Sequence, residues 1–196
     1  MNQIDNLEIR RGIFHMLVGI SIILIILVLP SPNYFLFSIL LVGVLLSFLS
    51  VHYKLPIIHR SLCLFERKCN KNLPGKGVLF FFAGALLSIQ LFDTQIAIAA
   101  IIILTFADPA SHFIGRNFGK ITSSLNRKKK VEGTIAGILL GTFFASFFVP
   151  LWLAFIGSLF GMIAELAGMR MAEQEIDDNI IIPLVAGTVM HLISIV

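Results

Sequence analysis

Charge is what this chain has least of. Only 13% of its 196 residues are Asp, Glu, Lys or Arg, 57% are hydrophobic, and the mean hydropathy is +0.94. A soluble domain of this size has no room to hide that much apolar surface, which excludes an ordinary globular enzyme. Short alternating segments are also lacking, because the apolar runs are continuous, and this excludes a β-barrel. Cysteine is scarce: Cys63 and Cys69 lie in a basic loop, form no CxxC pair and have no His/Cys cluster beside them. They read as free cytosolic thiols rather than a zinc site or disulfide. No small-x-small cleavage site closes the first apolar run after Arg10-Arg11, so that run is expected to be a retained span. There is no GxxxxGK[ST] loop, internal repeat, low-complexity tail or soluble domain. What remains is an all-α, polytopic integral membrane helical bundle, with residues 1–196 forming one transmembrane domain.

Apolar runs fall near residues 13–29, 34–51, 77–92, 95–114, 134–149, 151–167 and 179–196. The run at 77–92 is short for the roughly 20 residues a span needs. Residues 134–167 would measure about 50 Å as one helix, against a hydrocarbon core of about 30 Å. Two spans turning at Pro150 fit better than one, giving about seven in all. Lys and Arg then fall at Arg10-Arg11, in 52–76, in 115–131 and at Arg170, which accounts for all 15 cations. With the N-terminus inside, every one is cytoplasmic, and Asp93 is the lone charged side chain opposite, as the positive-inside rule expects. Any chemistry is therefore expected at the cytoplasmic membrane surface.

The few charged residues in awkward places are the candidates for that chemistry. Asp108 ends the fourth span, where an uncompensated carboxylate is costly; a metal ion or Arg116 would relieve it. His112 is one turn further on, on the same face. Gly115 and Gly119 bracket Arg116 and Lys120, a pattern that lets backbone N–H groups approach phosphate but also serves helix packing. Arg127, Lys128, Lys129 and Lys130 suit phosphate or anionic headgroups. Glu132, beside Gly133, either neutralises a lysine or completes a metal site with Asp108. The four-residue recurrence of Gly133, Gly137 and Gly141 points to a close helix contact. Asp177, Asp178 and Asn179 open the last span, as a helix cap or as oxygen ligands for a hard cation such as Mg²⁺. Pro183 is expected to break the first turns of that helix. Glu165 is a further carboxylate expected to face the bundle interior. Arg10, Arg11 and His15 lie on the same membrane face.

Carboxylates, an amide, glycines and many cations on one face suit a metal–triphosphate site next to a lipid substrate. At this point the chain resembles the polyprenol kinase family, which includes dolichol kinases, phytol kinases and CTP-dependent diacylglycerol kinases and is distantly related to phosphatidate cytidylyltransferases. The resemblance rests on RRGIFHMLVG (10–19), PGKGVLFFFAG (74–84), ADPASHFIGRNFG (107–119), KKKVEGTIAG (128–137) and EIDDNIIIPLVAG (175–187), in the family's order. It implies a seven-span or similar bundle, CTP as phosphate donor and Mg²⁺ as cofactor. It matches Asp108, Gly115, Lys128, Lys129, Glu132, Gly133, Asp178 and Asn179 to nucleotide and metal motifs, and Arg11 and His15 to the first-span motif. Two departures are Ala107 where the family commonly has Gly before Asp, and Lys130 where it has Ser or Thr.

Three functions compete. In the first, a lipid-alcohol kinase, an isoprenoid alcohol or diacylglycerol attacks the γ-phosphate of CTP. Asp108, Asp178 and Asn179, joined by Glu132 as a catalytic candidate, would hold Mg²⁺. Arg116, Lys120, Lys128 and Lys129 would hold phosphates, with Gly115, Gly119 and Gly133 allowing close approach. The second is a cytidylyltransferase, which uses similar groups but releases pyrophosphate. The third is a small transporter or lipid-binding scaffold, which would more often place polar groups near the midplane. The implied partners are a membrane lipid and a nucleotide, with no nucleic acid; the pattern leaves the oligomeric state open.

Overall fold

The computed structural model describes residues 3–53, 73–127, 129–168, 170–171 and 174–195. Among them the chain forms seven helices: α1 (Gln3–Val28), α2 (Pro32–His52), α3 (Lys76–Leu91), α4 (Thr94–Phe118), α5 (Val131–Ala145), α6 (Leu151–Ala167) and α7 (Asp178–Ile195). Between α6 and α7 two-residue strands β1 (Arg170–Met171) and β2 (Gln174–Glu175) pair antiparallel, Arg170 opposite Glu175. Four helices, α1, α2, α4 and α7, are long and apolar enough to cross a membrane; α3, α5 and α6 are apolar but only 16, 15 and 17 residues long.

The hub is α4. Its run of Ala and Ile is apolar all round, the pattern of a helix enclosed by others, and Ala97, Ala99, Ala100, Ile101, Ile103 and Leu104 are fully buried. It packs against α1, α3, α5, α6 and α7. Between helices in lipid the driving terms are close packing and hydrogen bonds rather than water exclusion, and small residues at the contacts matter most. A side chain at Gly133 would meet the Ser111 carbonyl and Gly115; at Gly137, Met162 and Ala107; at Gly141, Ser158 and Ala107. The glycine stripe expected to be a close helix contact is one, seating α5 on α4 and α6. By contrast, α2 is peripheral, with Phe35, Phe37, Leu41 and Phe48 exposed along it.

The block at 134–167 is indeed two helices. The first ends at Ala145, a turn follows, and Pro150 caps the second at its N-terminus. The reading of Pro183 needs correction. It does not break the first turns; α7 runs through it from Asp178 to Ile195. Proline removes its own N–H and crowds the carbonyl four residues back, here that of Asn179, over which α3 passes at Gly84, where no Cβ intervenes.

Candidate active site

Six helix ends meet at one end of the bundle. Asn179 Nδ2, at the start of α7, donates to the Gly77 carbonyl at the start of α3 (3.2 Å) and to Asp177 Oδ1 (2.8 Å). His15 Nε2 lies 3.2 Å from the Leu104 carbonyl, tying α1 to α4, with its ring edge-on to Phe81. At the end of α6 the Gly168 N–H donates to the Ala164 and Glu165 carbonyls, with Gly168 itself at φ +61°, a conformation that favours glycine.

At the centre stand Asp108, His112, Glu165 and Asp178, each with a ligand atom within 4.8 Å of the others'. One turn of α4 separates His112 Nε2 from Asp108 Oδ1, at 3.4 Å. Glu165 is fully buried. Lys129 Nζ reaches into this group, donating to Glu165 Oε1 and the Glu165 carbonyl (both 2.6 Å) and to Asp178 Oδ2 (3.2 Å). Burial pulls the Lys129 pKa down, but the charges of Glu165 and Asp178 outweigh it and hold the ammonium above its usual value. Burial also raises Asp177, against the hydrogen bonds from Asn179. Two carboxylates, Glu165 and Asp178, share one lysine here, and Asp108 stands beside them. Asp108 Oδ1 and Glu165 Oε2 are buried without a hydrogen-bond partner among the described residues.

The loop 119–130 delivers that lysine. It is a built structure: Thr122 and Lys130 form a bridge, Ser123 N–H donates to Lys129 O, Lys129 N–H to Asn126 O, and Lys130 Nζ to Thr122 Oγ1. Glu132 fixes its start, Oε1 accepting from the backbone N–H groups of Lys120 (2.8 Å) and Ile121 (2.9 Å). Of the two roles weighed for Glu132 from sequence, a lysine's partner or a metal ligand with Asp108, the structure does not bring it to the carboxylates. Its oxygens are engaged by amides, and it neither pairs with Asp108 nor joins the four-residue cluster. Gly115 and Gly133 face each other across the α4–α5 contact, and a side chain at Gly119 would meet the Gly115 carbonyl and Lys130, so in this structure all three glycines serve close packing.

Beside the cluster lies a cavity of about 970 Å³. Asp108 and His112 border both. Glu8, Arg11 and Arg116 stand at its polar end, Arg11 Nη1 at 3.2 Å and Arg116 Nη1 at 3.7 Å from the Glu8 carboxylate. Arg116 therefore meets Glu8, not the Asp108 partnership weighed from sequence. Phe14, Phe81, Phe106 and Phe144 make much of the remaining lining apolar. His15 and Asn179 also border the cavity. Lys128, Cys63 and Cys69 lie outside the described residues.

The sequence reading singled out Asp108, Asp178, Lys129 and the Asn179 turn, and these are together. It left Glu165 and His112 out of the chosen site, although an ionisable residue inside a span and an i, i+4 histidine were signals for both. It missed Glu8, whose only mark was its place three residues before Arg11.

No protein-family model matches the chain, and no solved structure matches it. Among known proteins it is similar to CTP-dependent diacylglycerol kinase 1 of Schizosaccharomyces pombe, 26% identical over 144 residues, 65% of this chain and 64% of that protein. The protein of the same name in Eremothecium gossypii is 26% identical over 141 residues, 60% of this chain and 44% of the other. An uncharacterized protein of Methanocaldococcus jannaschii is 29% identical over 201 residues, 96% of this chain and 95% of that one. The chain thus matches 64% and 44% of the length of the two kinases. The resemblance carried by the five sequence blocks is borne out on its kinase side: the chain is a relative of the CTP-dependent diacylglycerol kinases.

Proposed function

We propose that the chain is a CTP-dependent lipid kinase, transferring the γ-phosphate of CTP to the hydroxyl of a membrane lipid alcohol, a diacylglycerol or an isoprenoid alcohol, at the cytoplasmic face. One observation carries this: a largely enclosed carboxylate cluster with a lysine in it borders a mostly apolar cavity through Asp108 and His112. The names of the relatives favour CTP and a lipid acceptor. The crowding of cations at this end favours the cytoplasmic side.

The cluster fits Mg²⁺. Two buried carboxylate oxygens accept no hydrogen bond among the described residues, and three carboxylates are a hard, oxygen-rich donor set. Asp108, Glu165 and Asp178 would hold the ion, with Asn179 beside them through its amide oxygen. Bound there, Mg²⁺ neutralises charge on the phosphoryl group being transferred.

The chain's own groups do the rest. Arg11 and Arg116, steadied by Glu8, hold phosphate oxygens at the polar end of the cavity. Lys129 neutralises the Glu165–Asp178 pair, so the site tolerates three acids before nucleotide arrives. Asp108 is the cluster carboxylate that lines the cavity, and it orients the lipid hydroxyl and accepts its proton. The lipid oxygen then bonds to the γ-phosphorus as the bond to the β–γ bridging oxygen breaks, leaving CDP and a lipid phosphate. The apolar lining keeps bulk water from competing as acceptor.

Purified protein with γ-labelled CTP or ATP and a panel of lipid alcohols tests this. The expected result is labelled lipid with CDP released. Labelled pyrophosphate would indicate cytidylyl transfer instead, and no labelled lipid from any alcohol would overturn the proposal.

A further inference from the structure

The cavity is not closed on its lipid side. Its floor is α4, at Phe106, Pro109, Ala110 and Phe113. One wall is α1 and the other is α5 at Leu140 and Phe144. Both walls pack on α4, yet among the described residues α1 and α5 do not pack on each other. The rims of this gap are apolar and uncovered: Ile13 on α1, Phe113 on α4 and Leu140 on α5 are exposed.

The dimensions are informative. The lining runs from Glu8 to Val18 on α1 and from Phe106 to Phe118 on α4. At the helical rise these stretches are about 15 and 18 Å long, roughly half of a 30 Å hydrocarbon core. Arg11 and Arg116 stand towards one end of this length and Phe144 and Val18 towards the other, with Asp108 between them, eight residues or about 12 Å along α4 from Arg116. Phosphate matches the arginine end, a hydroxyl matches Asp108, and hydrocarbon matches the apolar rims of the gap.

We propose, resting on the kinase reading above, that the gap between α1 and α5 is a lateral portal. It admits a lipid alcohol from one leaflet, with the hydroxyl at Asp108 and the first part of its chain in the apolar groove on α4. Chain beyond the groove leaves through the gap into the bilayer. The enzyme therefore measures only the part of the lipid nearest the hydroxyl. Turnover rises with chain length until the groove is filled and is flat for longer chains.

A photoactivatable diacylglycerol with the reactive group midway along one chain, in lipid nanodiscs with the full chain, tests this. The label is expected within residues 8–18, 106–118 and 140–144. Gly12→Phe puts a ring into the groove at a position where a Cβ meets nothing nearer than Pro109 Cβ, at 3.7 Å. It should abolish the label and raise the lipid KM about tenfold, with CTP affinity kept. Leu140→Trp is the second blocking variant should Gly12→Phe fail to fold. Leu24→Phe, on an exposed part of α1 outside the cavity, should change neither. Label confined to α2 or α7, or groove residues crosslinked to a second copy of the chain, overturns the portal. Groove labelling without phosphorylation of any lipid leaves the portal standing and removes the kinase reading.

Discussion

Two aspartates, one just before the hub helix α4 and one within it, each have a histidine beside them, and the two pairs differ in burial and in company. Asp93, just before α4, has an 81% exposed side chain, with His191 Nδ1 at 3.9 Å. Asp108, near the other end, is 14% exposed with His112 at 3.4 Å, and Glu165, Asp178 and Lys129 stand around it. Water solvates the first carboxylate at little cost. The second has a buried oxygen that accepts no hydrogen bond among the described residues, with the His112 ring 3.4 Å away, an arrangement that favours a further ligand there. Residue type does not distinguish a boundary aspartate from a reactive one; burial and company do.

The most severe way to probe that contrast is to neutralise both ends separately. Asp108→Asn or Asp178→Asn should lower lipid phosphorylation by more than about 100-fold, whereas Asp93→Asn should leave it unchanged, as read by label transfer from CTP. Equal losses at both ends would erase the distinction.

Next in size is the buried lysine. Lys129→Met strands the fully buried Glu165, and removing one partner of a buried pair destabilises by about 3–5 kcal/mol. Thermal unfolding in detergent should show this, and adding Glu165→Gln to Lys129→Met should recover much of it. Asp93 and His191, altered together, should move the midpoint little, as exposed pairs do.

A smaller effect is expected at Glu132. Glu132→Ala frees the Lys120 and Ile121 amides, so their hydrogen exchange should quicken and the CTP KM should rise, with lipid KM unaffected. An unchanged exchange rate at both amides would mean the loop is held by its other bonds.

The mildest test is alkaline pH. Because the Lys129 pKa is higher folded than unfolded, its stabilisation is fully present below the ordinary lysine value of about 10.4 and is lost as pH rises through the folded value. The stability gap between parent and Lys129→Met should stay constant from pH 7 to about 10 and narrow only above that.

Much of this end of the molecule was legible in the sequence, and the reason is physical. Charge in an apolar chain is rare enough that Asp108, Glu165 and Asp178 stand out, and counting spans by sidedness puts them on one face. The glycine stripe was legible because small residues at a four-residue spacing have few other uses in a membrane helix. What could not be read was pairing across distance. Nothing in the local pattern says that Lys129 rather than a neighbouring cation reaches Glu165, 36 residues on. The role of Glu132 stayed open between two readings for a related reason: its partners are backbone amides, which carry no residue signature. Pro183 looked like a break, yet a proline inside a helix forfeits only one bond where a neighbouring helix packs closely enough.

The claim that only one end of α4 is built for a metal-bound phosphate can be tested directly with Mn²⁺ as a paramagnetic probe. Titrated into parent, Asp108→Asn and Asp93→Asn and followed by electron paramagnetic resonance, the ion should find a site in the parent and in Asp93→Asn, and lose it in Asp108→Asn. Equal binding by all three proteins would contradict the account.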